Sequence, residues 1–176
     1  MLKLTLPALS RGVPLVKLEP GAVVPLSDGV FFEVFAPYRY NPGDDNNNSM
    51  VLKLRVNGVE LLFASDMLYD EEKTLLNRDF DLSADVLKVG HHGKKDATSI
   101  NFLNAVSPKI AIISTDSEEE PDTPHESILG MLKDMEAEIH VTEDYDAGIL
   151  LTVGKDGSLT VENATIEKET EALSEY

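Results

Sequence analysis

Residues 51–66, VLKLRVNGVELLFASD, decide the first part of the fold. Two apolar runs, Met50–Val56 and Val59–Ala64, flank Asn57-Gly58, and this pairing is the strongest short-range signal for a β-hairpin. Asn and Gly adopt positive φ more readily than other residues, as a tight two-residue turn requires. The stretch therefore predicts two adjacent antiparallel strands.

The chain before this hairpin is also predicted to be rich in strands. Leu2–Leu6 alternates apolar and polar residues, Leu15–Leu18 is a short apolar piece, and Val30–Ala36 is rich in Val and Phe. Tyr38 to Asn48 holds Asn-Pro-Gly, two Asp and three consecutive Asn. Such residues form turns, so this segment is predicted to be a loop.

After the hairpin, helical and strand patterns alternate. The predicted helices are Leu68–Arg78, Ser99–Val106 and Pro124–Met135, and the predicted strands are Ala84–Val89, Lys109–Ser114, Glu138–Thr142, Gly148–Val153 and Ser158–Glu162. In the third helix Thr123 is expected to be the N-cap, with Pro124 as the first residue. A turn at Gly154–Gly157 joins the last two strands. Helices between strands, with hairpins at both ends, predict an α/β (α+β) fold with mixed β-sheets.

Length, charge and cysteine content narrow the possible functions. The chain has 176 residues, no cysteine, and 15 Lys+Arg against 32 Asp+Glu, which gives a net charge of −17. One soluble domain over residues 1–162 is expected, followed by an acidic tail at 163–176. The charge argues against a general polyanion binder, because each phosphate contact needs Lys or Arg. No apolar run approaches the ~20 residues of a membrane helix. Because the chain has no cysteine, any bound metal would be held by His and carboxylate side chains.

His91 and His92 end a strand of the buried type and are bracketed by glycines. Ligands of open α/β sheets gather at the carboxyl ends of strands. Adjacent residues on an extended backbone point in opposite directions, so only one of the two histidines could bind a given metal. The other would support that ligand or contact a substrate. A pair of surface loop histidines is the alternative interpretation.

Asp66 closes a neighbouring strand and His125 lies near the start of the third helix. An Asp in this position is commonly a helix N-cap. If the strands are neighbours, however, Asp66, one of the two histidines and His125 would converge. Carboxylate and imidazole ligands from separate strand ends are what such a metal site requires.

Three other polar features are expected to be structural. Asp85 starts its strand at the opposite edge of the sheet, and His140 is interpreted as a sheet-surface histidine. The acidic run Asp116–Asp122 is interpreted as a solvated loop, with a cation-attracting rim as the alternative.

Several motifs in order resemble one enzyme superfamily. They are Asn47-Asn48-Ser49, residues 51–66, ADVLKVGHHG at 84–93, VSPKIAIIS at 106–114 and AGILLTV at 147–153. Their order and spacing over Gly21 to Gly157 resemble the metallo-β-lactamase-like hydrolases, specifically the subgroup at the end of ComEC-type competence proteins and their stand-alone relatives.

The resemblance implies an αββα sandwich that binds one or two metal ions, usually zinc and in some cases manganese, and hydrolyses esters, amides or phosphodiesters. Asp66 then matches the bridging carboxylate and His91, favoured over His92, matches the metal-binding histidine. His92 and His125 are the expected catalytic groups that stabilise the developing oxyanion. In the ComEC-type group the domain is thought to act on DNA.

One signature of the family, His-x-His-x-Asp-His, is absent from this sequence. The resemblance therefore implies that this sequence corresponds to the second half of the fold. The hydrolase would then be incomplete or inactive. Its partner would be the missing N-terminal half or a second copy of the chain, as in a homodimer. Nucleic acid is a partner only by family analogy. An envelope-exposed location would follow from a ComEC-type parent, and a cytoplasmic one otherwise. The alternative function is a non-catalytic half-domain for binding or self-association.

Overall fold

The computed structural model describes residue 7 and residues 10–165, and nine strands in this part of the chain form two sheets. The strands are β1 Val23–Ser27, β2 Val30–Ala36, β3 Val51–Val56, β4 Val59–Phe63, β5 Val86–Lys88, β6 Ile110–Ile113, β7 Glu138–Val141, β8 Ile149–Val153 and β9 Leu159–Asn163. The helices are α1 Tyr69–Leu76, α2 Ile100–Val106 and α3 Glu126–Asp134.

The larger sheet contains β1 to β7 in chain order. Strands β1 to β4 pair antiparallel, and β4 to β7 pair parallel. The hairpin predicted at Asn57-Gly58 is confirmed: Val56 pairs with Val59, and φ is 51° at Asn57 and 78° at Gly58. Val30–Ala36 is a strand as predicted.

The predicted strand at Leu15–Leu18 is wrong, because these residues form no regular structure and are largely exposed. The partner of β2 is instead β1, Val23–Ser27, joined to it by a tight turn with φ 73° at Gly29. The predicted strand Leu2–Leu6 lies outside the described residues, as do residues 166–176 of the predicted acidic tail. Strand β9 extends to Asn163.

The three helices connect the parallel strands β4 to β7 and pack on one face of the larger sheet. Successive crossovers of the same hand place their helices on the same side. In α2 the Ser99 hydroxyl accepts a hydrogen bond from the Phe102 N–H (3.2 Å), and the buried residues of the helix face the sheet. The core on this side includes Phe35, Leu62, Leu75, Leu87, Phe102, Leu103, Ala111, Ile113, Ile128 and Leu132.

The smaller sheet, β8 and β9, covers part of the opposite face. Its residues Leu151, Val153, Leu159 and Val161 pack against Val59, Leu61, Val86 and Ile110 of the larger sheet. The order of layers is helices, larger sheet and small sheet. The predicted mixed α/β class is thus confirmed.

The predicted start of the third helix is wrong. Helix α3 begins at Glu126, and its N-cap is His125 rather than Thr123. His125 has an extended backbone, and its Nδ1 accepts a hydrogen bond from the Ser127 N–H (3.2 Å). The Thr123 hydroxyl instead donates to the Glu120 carbonyl (2.8 Å), which closes the preceding loop.

No helix within the described part of the chain is both long enough and apolar enough to cross a bilayer.

Candidate metal centre

Strands β4, β5 and β6 run parallel and end at the same edge of the sheet. Asp66 follows β4, His91 and His92 follow β5, and Ser114 follows β6. The predicted convergence of strand ends is therefore found for Asp66 and the two histidines, at the position where α/β folds gather their ligands.

Asp66 and His92 face each other. His92 Nε2 lies 3.5 Å from Asp66 Oδ1, and the two side chains are 42% and 48% exposed. On the other side of the ring, His92 Nδ1 lies 2.8 Å from the Ser114 carbonyl oxygen. A carbonyl oxygen can only accept, so Nδ1 carries the proton and the Nε2 lone pair of the neutral ring is directed away from Ser114.

His91 has different surroundings. Its Nδ1 lies 2.9 Å from Asp96 Oδ1, its Nε2 lies 3.3 Å from the Asn46 side-chain nitrogen, and its side chain is only 13% exposed. Both ring nitrogens are therefore engaged with protein groups. A carboxylate accepts from Nδ1–H, and the Asn46 amide can donate to Nε2.

The two histidines are not on an extended backbone, and this expectation is wrong. His91 (φ 46°, ψ 47°) and His92 (φ 58°, ψ 17°) are both left-handed, in a 3₁₀ turn over Gly90–Gly93. The Lys94 N–H donates to the His91 carbonyl (2.9 Å) and closes the turn. Left-handed residues other than Gly cost of order 1–3 kcal/mol each and concentrate at functional sites.

The start of helix α3 is attached to this turn through the backbone of His125. The His125 N–H donates to the Gly93 carbonyl (2.9 Å). The imidazole is directed to its own helix, where Nδ1 also lies 2.8 Å from the Ser127 hydroxyl. Across residue 7 and residues 10–165, no three His, Cys, Asp or Glu side chains are grouped so that they could hold one metal ion.

Several further residues position this pair. The Ser49 hydroxyl accepts from the Asp66 N–H (3.3 Å), and the Ser65 hydroxyl donates to the Met50 carbonyl (2.7 Å). The His91 N–H donates to the Ser65 carbonyl (2.9 Å), which joins the two strand ends directly. The signal for Ser49 was its place in the Asn-Asn-Ser motif.

Two buried carboxylates of α1 hold the loops on either side of the site. Glu71 accepts from the Tyr38 N–H (2.8 Å), in the loop that carries Asn46. Glu72 accepts from the backbone N–H groups of Thr98 and Ser99, just after Asp96. Burial raises the pKa of Glu71 and of Glu72, while these hydrogen bonds favour the charged form.

An acidic cavity of about 330 Å³ opens beside His92. Its lining is His92, Ser114, Thr115, Asp116, Glu119, Glu120 and Thr142. Lys94 forms an ion pair with Glu120 (3.1 Å), and this hydrogen bond lowers the pKa of Glu120. The acidic run of the sequence thus forms one wall of the cavity.

The other predicted structural groups also have identifiable partners. Asp85 accepts from the Glu60 N–H (3.0 Å) and from Lys109 Nζ (2.8 Å). The side chain of His140 is 11% exposed, so it is less exposed than expected for a sheet-surface histidine, and its Nδ1 contacts the Tyr145 hydroxyl at 2.5 Å.

Comparisons of sequence identify relatives among proteins named for competence and recombination. The chain is 33% identical over 126 residues to ComE operon protein 3 of Bacillus subtilis, covering 72% of this chain and 16% of that protein. It is 39% identical over 89 residues to competence protein ComA of Neisseria gonorrhoeae, covering 50% and 13%. It is 31% identical over 104 residues to recombination protein 2 of Haemophilus influenzae, covering 59% and 13%.

The chain thus spans 13–16% of the length of these relatives. It is related to a segment of competence proteins. No protein-family model matches the chain. A solved structure from Parabacteroides distasonis, assigned as a metal-dependent hydrolase, aligns with a TM-score of 0.49 and 17% identity, over 75% of this chain and 60% of that one.

Proposed function

We propose that this chain supplies part of a metal-dependent hydrolase centre, in which Asp66 and His92 are two of the metal ligands. The observation that carries the proposal is the pairing of His92 Nε2 with Asp66 Oδ1 at 3.5 Å, with Nδ1 fixed by the Ser114 carbonyl. A histidine that donates one ring N–H to a carbonyl and presents the other nitrogen is the usual arrangement of a metal ligand.

The Asp66–His92 pair is suited to binding a cation. In the neutral tautomer, Nε2 and the Asp66 carboxylate are both acceptors, so a positive charge between them is favoured: either a proton on Nε2 or a metal ion. Two ligands of a tetrahedral zinc ion, with bonds of about 2.0–2.1 Å, stand roughly 3.4 Å apart. The observed spacing of 3.5 Å fits two such ligands.

The described residues fit only part of a catalytic centre. Catalytic zinc commonly has three protein ligands and a water. Asp66 and His92 supply two, and no group of three possible ligands occurs within the described ranges. The remaining ligands would come from another part of the parent protein or from another polypeptide. When bound, the metal would supply an activated water and polarise the substrate. Carboxylate and imidazole suit zinc and manganese alike.

The roles of the other two histidines follow from their contacts. His91, bound by Asp96 and Asn46, would hold the turn that presents His92. His125, predicted from the sequence to be catalytic, would anchor α3 beside the turn and cap the helix. A role in stabilising an oxyanion stays a prediction for His125.

The relation to competence proteins supports a phosphodiester, such as that of DNA, as the substrate class. The net charge of −17 opposes DNA binding by this chain alone. In this proposal the basic contacts to the nucleic acid, like the remaining metal ligands, come from outside the described residues.

Paramagnetic broadening by Mn²⁺ tests the proposed ligands even if binding is weak. Sub-stoichiometric Mn²⁺ is expected to broaden the NMR signals of the His92 ring and of Asp66 first. Asp66→Asn and His92→Gln should each remove the effect. Asp70→Asn, an exposed carboxylate change on α1, should leave it intact. Equal broadening in the wild type and in Asp66→Asn would exclude the site.

A second candidate function, self-association through the small sheet, has one specific observation in its favour. Within the described residues β8 and β9 pair only with each other, so both edges of the small sheet are open, and Leu150 on β8 is 48% exposed. Open edges and apolar side chains favour pairing with another strand. Sedimentation equilibrium tests this: a dimer that Leu150→Glu dissociates supports it, and a monomer at all concentrations rules it out.

A further inference from the structure

Lys88 is the last residue of β5 and lies close to the proposed metal ligands along the strand. Neighbours in a strand alternate between faces. Leu87 belongs to the core beneath the helices, whereas Val86 packs on the opposite face. Lys88 therefore shares the face of Val86, beside its register partners Phe63 and Ile112.

The Lys88 ammonium has few protein partners. Among the residues that the structure describes, its one hydrogen bond runs from Nζ to the carbonyl of the adjacent Val89, at 3.2 Å. No carboxylate of the described chain lies within 4.0 Å of it. An ammonium has three N–H donors, so most of its hydrogen-bonding capacity is unused within the described residues, although Lys88 is partly buried.

Three other lysines, two of them partly or fully buried, form ion pairs. Lys53 Nζ is bonded to Glu60 (3.0 Å), Lys94 to Glu120 (3.1 Å) and Lys109 to Asp85 (2.8 Å). In a chain with 32 acidic and 15 basic residues, a partly buried lysine without such a partner is unusual. Burial without a counter-ion is unfavourable for a charged group.

Lys88 is also electrostatically coupled to the proposed site. Burial lowers the pKa of Lys88, and the negative charge of Asp66 opposes this shift. The two groups do not form an ion pair. The unused donors of the ammonium are suited to an external anion.

We propose that Lys88 binds an oxyanion group of a ligand, a phosphate or a carboxylate, at the edge of the sheet where Asp66 and His92 lie. Only the identification of this ligand as the substrate of a hydrolase rests on the function proposed above. Binding of the anion itself needs no metal.

The test is an NMR titration of the full chain, free of metal, with dimethyl phosphate and with acetate as separate probes. The Lys88 side-chain signals are expected to shift saturably with at least one probe. A response to dimethyl phosphate indicates a phosphodiester-type ligand, and a response to acetate alone indicates a carboxylate. Lys88→Arg should keep the binding, and Lys88→Met should lose it.

Lys95→Met is the matched control, because Lys95 is exposed and its substitution changes the net charge equally. It should bind the anion like the wild type. Melting temperatures of all variants establish that they are folded. No saturable shift in the wild type, or equal binding by Lys88→Met, would overturn the proposal. Anion binding without any Mn²⁺ effect at Asp66 would instead contradict the hydrolase function while leaving the anion site intact.

Discussion

His92 Nε2 lies 3.5 Å from Asp66 Oδ1, across the carboxyl ends of β5 and β4. Both side chains are presented by left-handed backbone: φ is 49° at Ser65, just before Asp66, and 58° at His92. The hydrogen bond from the His91 N–H to the Ser65 carbonyl (2.9 Å) ties the two segments together. Strain of this kind persists only where the surrounding contacts enforce it.

The tautomer of His92 follows directly from this arrangement. Because Nδ1 donates to the Ser114 carbonyl, the neutral ring should carry its proton on Nδ1. Long-range ¹H–¹⁵N spectra at a pH where the ring is neutral should show an unprotonated Nε2. A neutral ring that carries its proton on Nε2 in the metal-free protein would mean that Nε2 is not available to bind a metal.

Glu60 is expected to be more important for stability than Glu33, although both contact Arg55. Glu60 also binds the fully buried ammonium of Lys53 at 3.0 Å. Glu33 forms only a partly exposed contact with Arg55 at 3.6 Å. Glu60→Gln should therefore lower the free energy of unfolding by about 3 kcal/mol, because it leaves the buried ammonium with only the more distant Asp81 carboxylate, at 3.8 Å, as a counter-ion.

Glu33→Gln is the matched control and should change the unfolding free energy by less than about 1 kcal/mol. Urea unfolding at pH 7 measures both. Equal effects of the two substitutions would show that Lys53 does not depend on Glu60.

Glu72 should make the stability depend on pH. Burial raises its pKa above the ordinary value of 4.5. Because the folded protein retains this proton to higher pH than the unfolded chain, the contribution of Glu72 is fully present below about pH 4.5 and is lost as pH rises through the raised pKa. As pH rises from about 4.5 through the raised pKa, the free energy of unfolding should therefore fall less in Glu72→Gln than in the wild type. The control is the exposed Glu162→Gln. Parallel stability curves for the wild type and Glu72→Gln would contradict the expectation.

His125 should be replaceable as a helix cap. His125→Ala should lower the unfolding free energy by about 1 kcal/mol, because the Ser127 N–H loses its acceptor. His125→Asn, with a side chain favoured at this position, should retain most of the stability. Equal losses of stability in His125→Ala and His125→Asn, measured by urea unfolding, would contradict the capping role.

The regular elements could be predicted because their signals are local. The Asn57-Gly58 turn lies in the hairpin itself, and the strands of the βα units are short continuous apolar runs. The helix start at Thr123 failed because His125 can cap a helix with a ring nitrogen, which competes with the usual hydroxyl cap. The left-handed turn at His91-His92 has no local signal apart from its glycines.

The roles within the candidate site could not be read from the sequence, since they depend on distant contacts. The resemblance favoured His91 over His92 as the metal ligand, whereas the contacts in the fold favour His92. Asn46 and Asp96 distinguish them, because together they engage both nitrogens of the His91 ring. Only the folded arrangement brings Asn46 from its loop to the end of β5.

The most direct test of the central claim is an anomalous-difference map at the zinc absorption edge, from crystals of the full chain soaked in zinc. A peak bonded to both Asp66 Oδ1 and His92 Nε2 is expected, at about 2.0–2.2 Å from each. No such peak is expected in crystals of Asp66→Asn. Zinc bound at His91, or at sites that involve neither Asp66 nor His92, would contradict the central claim.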